Sequence, residues 1–385
     1  MFNLVAGLFA VALIIGNTLR PSFISPDVHV SVLDFTVVMV WLLAFIPLVK
    51  SGFKSISSPL VKPILAFLAV GFISLLVSGS HYGHTAMLVG FLYLVRWGVY
   101  ALLFVPVATL LSSSQSGRLQ RFLGFALVAV CLAQYLLVPD IRPLAANNWD
   151  PHYFRVVGSL LDPGFTGILL VFVLLGQTGD LSPFPLFYSL SWAVAYFTLA
   201  FTYSRSSFLA FLAGFTTHAV RRKSRRYFLS ALILVSLTLI LLPRTSDGEG
   251  VKLERTSTIE ARLIGWGHTL TIFKDHPLIG VGFDTYRYAQ AAYGYLGVRD
   301  WQTSHAGAGA DSSLLFVAAT TGVIGLAAYL WYLLRLWTAS RSHFAFRAGL
   351  VALFFHSWFL NSQFYPFVMV WISLWLVSSG VKSRH

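Results

Sequence analysis

Long apolar runs separated by short polar breaks dominate the chain. Reading each run of about 18 or more residues as one helical crossing predicts about twelve spans. They fall at roughly 2–19, 32–49, 60–78, 86–111, 121–138, 163–177, 184–202, 206–220, 227–242, 311–335, 344–360 and 362–379. No alternating strand pattern of about ten residues recurs, which disfavours a membrane barrel. The run 184–220 is too long for one crossing and suits two, with the break at "TYSR" (202–205). The expectation is an all-α polytopic membrane protein forming one domain over 1–385. The first run, "MFNLVAGLFAVALIIGN", has no Lys or Arg ahead of it and reads as a retained span rather than a cleaved signal.

Composition agrees with this pattern, and charge adds an orientation. Hydrophobic residues make up 57% of the chain and charged residues only 11%, with mean hydropathy +0.74. The net charge of +13 sits largely in the short breaks, so it reads as membrane topology rather than nucleic-acid binding. "RRKSRR" (221–226) is the strongest cytoplasmic marker. Counting crossings outwards from it places Lys50, Lys54, Lys62, Arg118, Arg121, Arg335, Arg341, Arg347, Lys382 and Arg384 on the same side. Of the 14 acids, only Asp180 joins them. Both termini are then cytoplasmic in a multi-pass protein of the cytoplasmic membrane. Cys131 lies inside an apolar run and reads as a core residue.

The opposite, outer face carries two long connections, 139–162 and 244–310. Long loops on a rigid scaffold tend to carry function. Within the second, 259–275 sets Leu263, Trp266, Leu270 and Phe273 at steps of three and four, the pattern of an amphipathic helix lying on the membrane or on the bundle. His276-Pro277 ends it, and Gly280 and Gly282 allow a sharp turn.

Chemistry gathers at that face. Arg205 is the one formal charge between Phe184 and Val220; Arg262 sits on the amphipathic helix and Arg155 in the first loop. Guanidinium forks at the mouth of a bundle suit a phosphate or diphosphate. His305 and Asp311 precede the tenth span, where an imidazole or carboxylate would serve as general base on a hydroxyl. Each has a plainer reading: Arg205 as a snorkelling residue, Arg262 as lipid-facing, Arg155 and His305 as loop residues, Asp311 as a helix N-cap. Arg96 is the arginine that the predicted spans bury, either in a cleft or at a misplaced boundary. Gly322 and Gly325 read as helix-packing positions. His81 and His84 would share a helix face, but two histidines are a thin metal signal. No adjacent acidic pair occurs in the outer loops, which disfavours metal-dependent membrane glycosyltransferases.

Three stretches carry a family resemblance: "TYSRSSFLAFLAG", "EARLIGWGHTLTIFKDHPLIGVGFDTY" and "DSSLLFVAATTGVIGLAAYL". In this order they resemble the T-x-S-R-[SG], R-x-x-x-W…G-x-G and [HD]-N-x-x-L…G-x-x-G-L blocks of the O-antigen ligase and polymerase family. "RVVGSLLDPGFTG" (155–167) is similar to an upstream R-x-x-G…DPN stretch of that family. The resemblance implies a GT-C-like bundle of about twelve helices with an outer loop over a cleft, and metal-independent glycosyl transfer needing no cofactor. The donor it implies is a polyprenyl-diphosphate-linked oligosaccharide in the membrane lipid, and the acceptor a hydroxyl on a second glycan. Polysaccharide export and chain-length proteins are the partners it implies. Arg205 and Arg262 fall on arginines that hold the donor diphosphate. Asp311 and Ser312 replace the His-Asn of ligases, which leans the reading towards a polymerase of surface polysaccharide. Asp311 or His305 is then the base. Two other readings stay open: a small-anion transporter, and an inactive component of an export complex.

Overall fold

The computed structural model describes residues 1–23, 25–52, 58–147, 150–177, 185–243, 249–253, 256–297, 301–302, 307 and 309–380. His305, one of the two candidate bases, lies outside the described residues. The helices are α1 (Phe2–Ile15), α2 (Val32–Lys50), α3 (Val61–Ala101), α4 (Phe104–Leu110), α5 (Ser113–Leu137), α6 (Pro163–Gln177) and α7 (Pro185–Ala200). They continue as α8 (Arg205–Arg221), α9 (Arg225–Leu241), α10 (Ser257–Asp275), α11 (Tyr286–Ala292), α12 (Ser313–Ala339), α13 (Phe344–His356) and α14 (Pro366–Ser378). A short antiparallel ribbon, β1 (Ser22–Phe23) with β2 (Ser25–His29), departs from a purely helical fold. Among the described residues, four segments are long and apolar enough to cross a membrane: 32–50, 61–110, 113–137 and 313–342. Shorter apolar helices accompany them.

Local sequence sets where the helices begin. Ser31 and Asp34 form a capping box at α2, as Ser112 and Gln115 do at α5. The Asp162 carboxylate accepts the amides of Gly164 and Phe165, both at 2.7 Å, ahead of Pro163 at the start of α6. Ser204 caps α8 and Ser312 caps α12. The cap at α12 is therefore Ser312 and not Asp311. Asp311 stands one residue outside the helix with its carboxylate unspent on the backbone.

Helix α3 is a hairpin, not one rod. Gly83 has φ 83°, ψ 172°, and the two arms fold back on each other. A methyl on Gly90 would stand 2.5 Å from the Leu75 side chain, and one on Gly71 2.7 Å from Leu94. Small residues permit this close approach where lipid gives helices little hydrophobic reason to associate. The turn also separates His81 from His84 onto different arms, so they do not share a helix face. Among the described residues, no group of three or more His, Cys, Asp or Glu is placed to hold a metal.

Helix α12 is broken at Gly322 (φ 65°, ψ −168°). The segment 277–282 is laid into the break. Val323 N–H donates to Pro277 C=O at 2.8 Å, and Val281 and Gly282 N–H donate to Ala319 and Thr320 C=O, both at 3.0 Å. The Ser74 hydroxyl lies 2.7 Å from the carbonyls of both Ile279 and Thr320. The break thus exchanges intrahelical bonds for bonds to the inserted strand of backbone, as an apolar setting requires. Gly322 is there because a Cβ would lie 2.2 Å from the Leu278 carbonyl carbon. Simple helix packing, the expectation for this glycine, is replaced by backbone insertion.

The bundle closes through α8 against α13, α6 and α9, α12 against α3 and α10, and α5 against α14 and α1. Gly322→Ala should lower the thermal unfolding midpoint of the detergent-solubilised protein, by a loss on the order of 1–3 kcal/mol from the left-handed backbone alone. Gly176→Ala, where a methyl would meet nothing within 4 Å, should leave the midpoint unchanged.

Candidate active site

Arg205 is the first helical residue of α8, directly after a turn in which Tyr203 takes φ 51°. Its Nη1 donates to the Leu253 carbonyl at 3.2 Å, drawing the 249–253 segment over the helix start. A helix N-terminus is the positive end of the macrodipole. A cation there is electrostatically unfavourable alone and favours an incoming anion.

Arg262 points inward. On α10 the steps 262, 266, 269 and 273 form one face. Thr269 is fully buried on that face and shares a 2.6 Å hydrogen bond with the Tyr286 hydroxyl. The expected apolar stripe divides here: Trp266 and Phe273 turn inward, Leu263 and Leu270 are exposed, and fully buried Ile272 also faces the bundle. The Arg262 guanidinium lies 5.9 Å from the Phe359 ring, and the Trp266 ring lies 6.2 Å from the same phenyl. Trp266 Nε1 donates to the Asp311 carbonyl at 3.4 Å, which brings α10 to the start of α12.

The charges of Arg205, Asp311 and Asp162 all act on Arg262 at this end of the bundle. Desolvation lowers the Arg262 pKa; Asp311 and Asp162 oppose that shift and Arg205 reinforces it. Desolvation likewise raises the pKa of Asp311, and the Arg262 guanidinium holds it partly down. Solvent reaches the Asp311 side chain, but the surrounding protein mass still disfavours its charge. Asp162 is raised by burial despite the two amides it accepts.

Arg155 and Arg96 stand differently. Arg155 is buried beneath the α7–α8 turn, with Nε donating to the Thr202 carbonyl at 3.0 Å. Gly250 lies against it, and a methyl there would stand 2.7 Å from Arg155 Cδ. Arg96 makes a two-point ion pair with Asp34 of α2, Nε–Oδ1 at 2.7 Å and Nη2–Oδ2 at 2.9 Å. The Tyr100 hydroxyl also donates to that carboxylate at 2.9 Å. Arg96 therefore joins α3 to α2.

Residues 190–330 match the family model described as O-Antigen ligase. That part of the chain is similar to the O-antigen ligase family. No curated protein matches the chain. The O-antigen ligase match includes Arg205, Arg262 and Asp311 and stops short of a segment that touches all three regions. That segment is 356–363, "HSWFLNSQ". Through His356 it meets Ser206 and Ser207 beside Arg205, each at 3.2 Å. Through the Ser357 carbonyl it accepts Ser313 N–H at 2.9 Å, fixing the start of α12 next to Asp311. Through Phe359 it lies against Arg262 and Trp266. Sequence reasoning missed His356, Phe359 and Asp162. The one available signal was a histidine and two serines inside otherwise apolar sequence. A hollow of about 100 Å³ lined by Gln120, Arg121 and Trp371 lies among α5, α6 and α14 and touches none of the three.

The Asp311 carboxyl should titrate above the ordinary value of about 3.9. Arg262→Gln should raise it further, because the cation that favours the charged form is gone. Difference infrared titration against Asp311→Asn checks both, and a midpoint unmoved by Arg262→Gln would contradict the proximity of the two groups.

Proposed function

We propose that the protein is a metal-independent glycosyltransferase that passes a polyprenyl-diphosphate-linked glycan to a hydroxyl of an acceptor glycan. What supports this reading is that Arg262, on the helix whose Trp266 donates to the Asp311 carbonyl, lies within the electrostatic reach of both Arg205 and Asp311. In this reading the chain crosses the cytoplasmic membrane about twelve times. Both termini and "RRKSRR" are cytoplasmic and the site opens on the outer face. Arg221, at the far end of α8 from Arg205, is about 24 Å away by helix rise, close to a hydrocarbon thickness.

Arg205 and Arg262 hold the diphosphate. Negative charge grows on it as the bond to the anomeric carbon breaks, and fixed cations in a partly desolvated site stabilise that charge. Asp311 takes the proton from the acceptor hydroxyl as that oxygen attacks. Burial already raises its pKa, and a bound diphosphate neutralising Arg262 raises it further, towards the range where a carboxylate is an effective base. Arg155 supports the Arg205 turn from below. Arg96, with Asp34, shapes the wall of the cleft. Aspartate in place of the histidine of ligases supports polymerisation of a surface polysaccharide over transfer to a lipid core.

One observation favours a different reading. Transporters use broken helices at their binding sites, and α12 is broken. Here, however, the peptide groups on both sides of the break are bonded to segment 277–282, so the break holds backbone rather than a solute.

Reconstitution with a polyprenyl-diphosphate oligosaccharide tests the proposal. Extension of the donor glycan with release of the carrier is expected; transfer only to a second acceptor would mean a ligase. Arg205→Ala and Arg262→Ala should each abolish turnover while the protein still inserts and folds. Asp311→Asn should cut kcat by about 10²–10⁴ with donor KM little changed. Anion uptake without glycan chemistry would refute the assignment.

A further inference from the structure

Directly behind Arg205, four side chains that could all have been apolar are polar and buried. His356 is fully buried, Ser207 is fully buried, Ser362 is fully buried and Ser206 is 6% exposed. The imidazole Nε2 lies 3.2 Å from both Ser206 Oγ and Ser207 Oγ, and Nδ1 lies 2.6 Å from Ser362 Oγ. The proton positions follow from the remaining partners. The Ser207 hydroxyl donates to Ser204 Oγ at 2.8 Å or to the Gly164 carbonyl at 3.4 Å, so it has only a lone pair to offer the ring. Nε2 therefore carries the proton, and Nδ1 accepts from Ser362. Ser204, the cap of α8, accepts the Ser207 amide at 3.4 Å within the same network.

One ring thus ties together three helix ends. They are the first turn of α8, which carries Arg205; the first turn of α6, which follows Asp162; and the turn after α13, which carries Phe359 beneath Arg262. Close packing alone does not call for this. An aromatic hydrocarbon would fill the same volume without burying any polar group, and burying hydroxyls that must be partnered is costly unless the geometry they fix matters.

We propose that His356 is a positioning residue for Arg205. Its imidazole locks the first turn of α8 in the rotation that sends the Arg205 guanidinium towards Arg262 and Asp311. It touches no substrate itself. The inference rests on Arg205 being a ligand of the donor diphosphate, as argued above. A guanidinium at the end of a long side chain magnifies a small rotation of the helix start. A misplacement on the order of 1 Å costs about a hundredfold in rate.

The test is a double-mutant cycle on the full-length protein in liposomes, with a polyprenyl-diphosphate oligosaccharide as donor. His356→Phe keeps the volume and removes both hydrogen-bonding nitrogens. It should lower kcat/KM by about 10- to 100-fold, with most of the loss in kcat. His356→Gln, which returns a donor to Ser206 and Ser207, should recover much of that loss. On an Arg205→Lys background, His356→Phe should cost less than about threefold more, because the group it positions is already changed. Losses that simply multiply would overturn the proposal, as would equal activity of the Phe and Gln variants. Should His356→Phe fail to fold, Ser206→Ala with Ser207→Ala removes the same contacts at smaller steric cost and enters the same cycle. Wild-type protein inert towards the donor would sink the functional reading and this inference together. An active wild type with multiplicative losses would sink this inference alone.

Discussion

The turn between α13 and α14 is where the separate pieces of the site are held at fixed distances. His356 bonds to the serines of α8, the Ser357 carbonyl receives the start of α12, and Phe359 lies beneath Arg262 on α10. The Gln363 amide N–H adds a bond to Ser313 Oγ at 3.2 Å, and its side chain joins Ser357 Oγ and the Tyr329 hydroxyl, both at 2.8 Å. In an apolar surrounding such bonds have no water to compete with them, so a hydrogen-bonded network of this kind is both rigid and specific. Without it, two arginines on different helices and a carboxylate ahead of a third would have no common geometry.

The broken helix serves the same end from the other direction. Arg262 sits on a helix in a long connection, a kind of segment that is ordinarily mobile. The chain after α10 descends into the gap of α12 at Gly322 and is bonded there on both sides, with Ser74 of α3 closing over it. The C-terminal end of α10 is anchored in the bundle, and its N-terminal half, with Arg262, is held over the mouth by Trp266 against Asp311 and Phe359. Backbone at this depth is tolerated because protein, and not lipid, surrounds it. Positive-φ glycines at 280, 282 and 322 permit contacts that any side chain would block.

Much of the helical layout was legible because apolar run length is a local property. The run 163–177 became α6 with both bounds intact, and the break at "TYSR" became the turn before α8. Leu263, Trp266, Leu270 and Phe273 read as one apolar face of α10, but periodicity cannot say whether such a face meets the bundle or the membrane, and the structure divides the four. Gly322 was read as a packing residue because a glycine inserted into by another segment looks the same in sequence as one packed by a neighbouring helix. His81 and His84 would share a face only if helical; the break predicted between 78 and 86 falls at Gly83 and parts them.

The sequence by itself determined most of the helices, the concentration of basic residues in short breaks, and the identity of Arg205, Arg262 and Asp311 as unusual groups. These follow from hydropathy, spacing and side-chain chemistry, which act over a few residues. Only the tertiary structure decided that Arg155 braces a turn and Arg96 pairs with Asp34. It alone brought Asp162 into the field of Arg262 and made residues 356–363 the common support. Those outcomes depend on which helix ends meet, and meeting is fixed by hydrogen bonds between residues up to 348 positions apart, as between Asn17 and Tyr365. No local pattern encodes a partner at that distance.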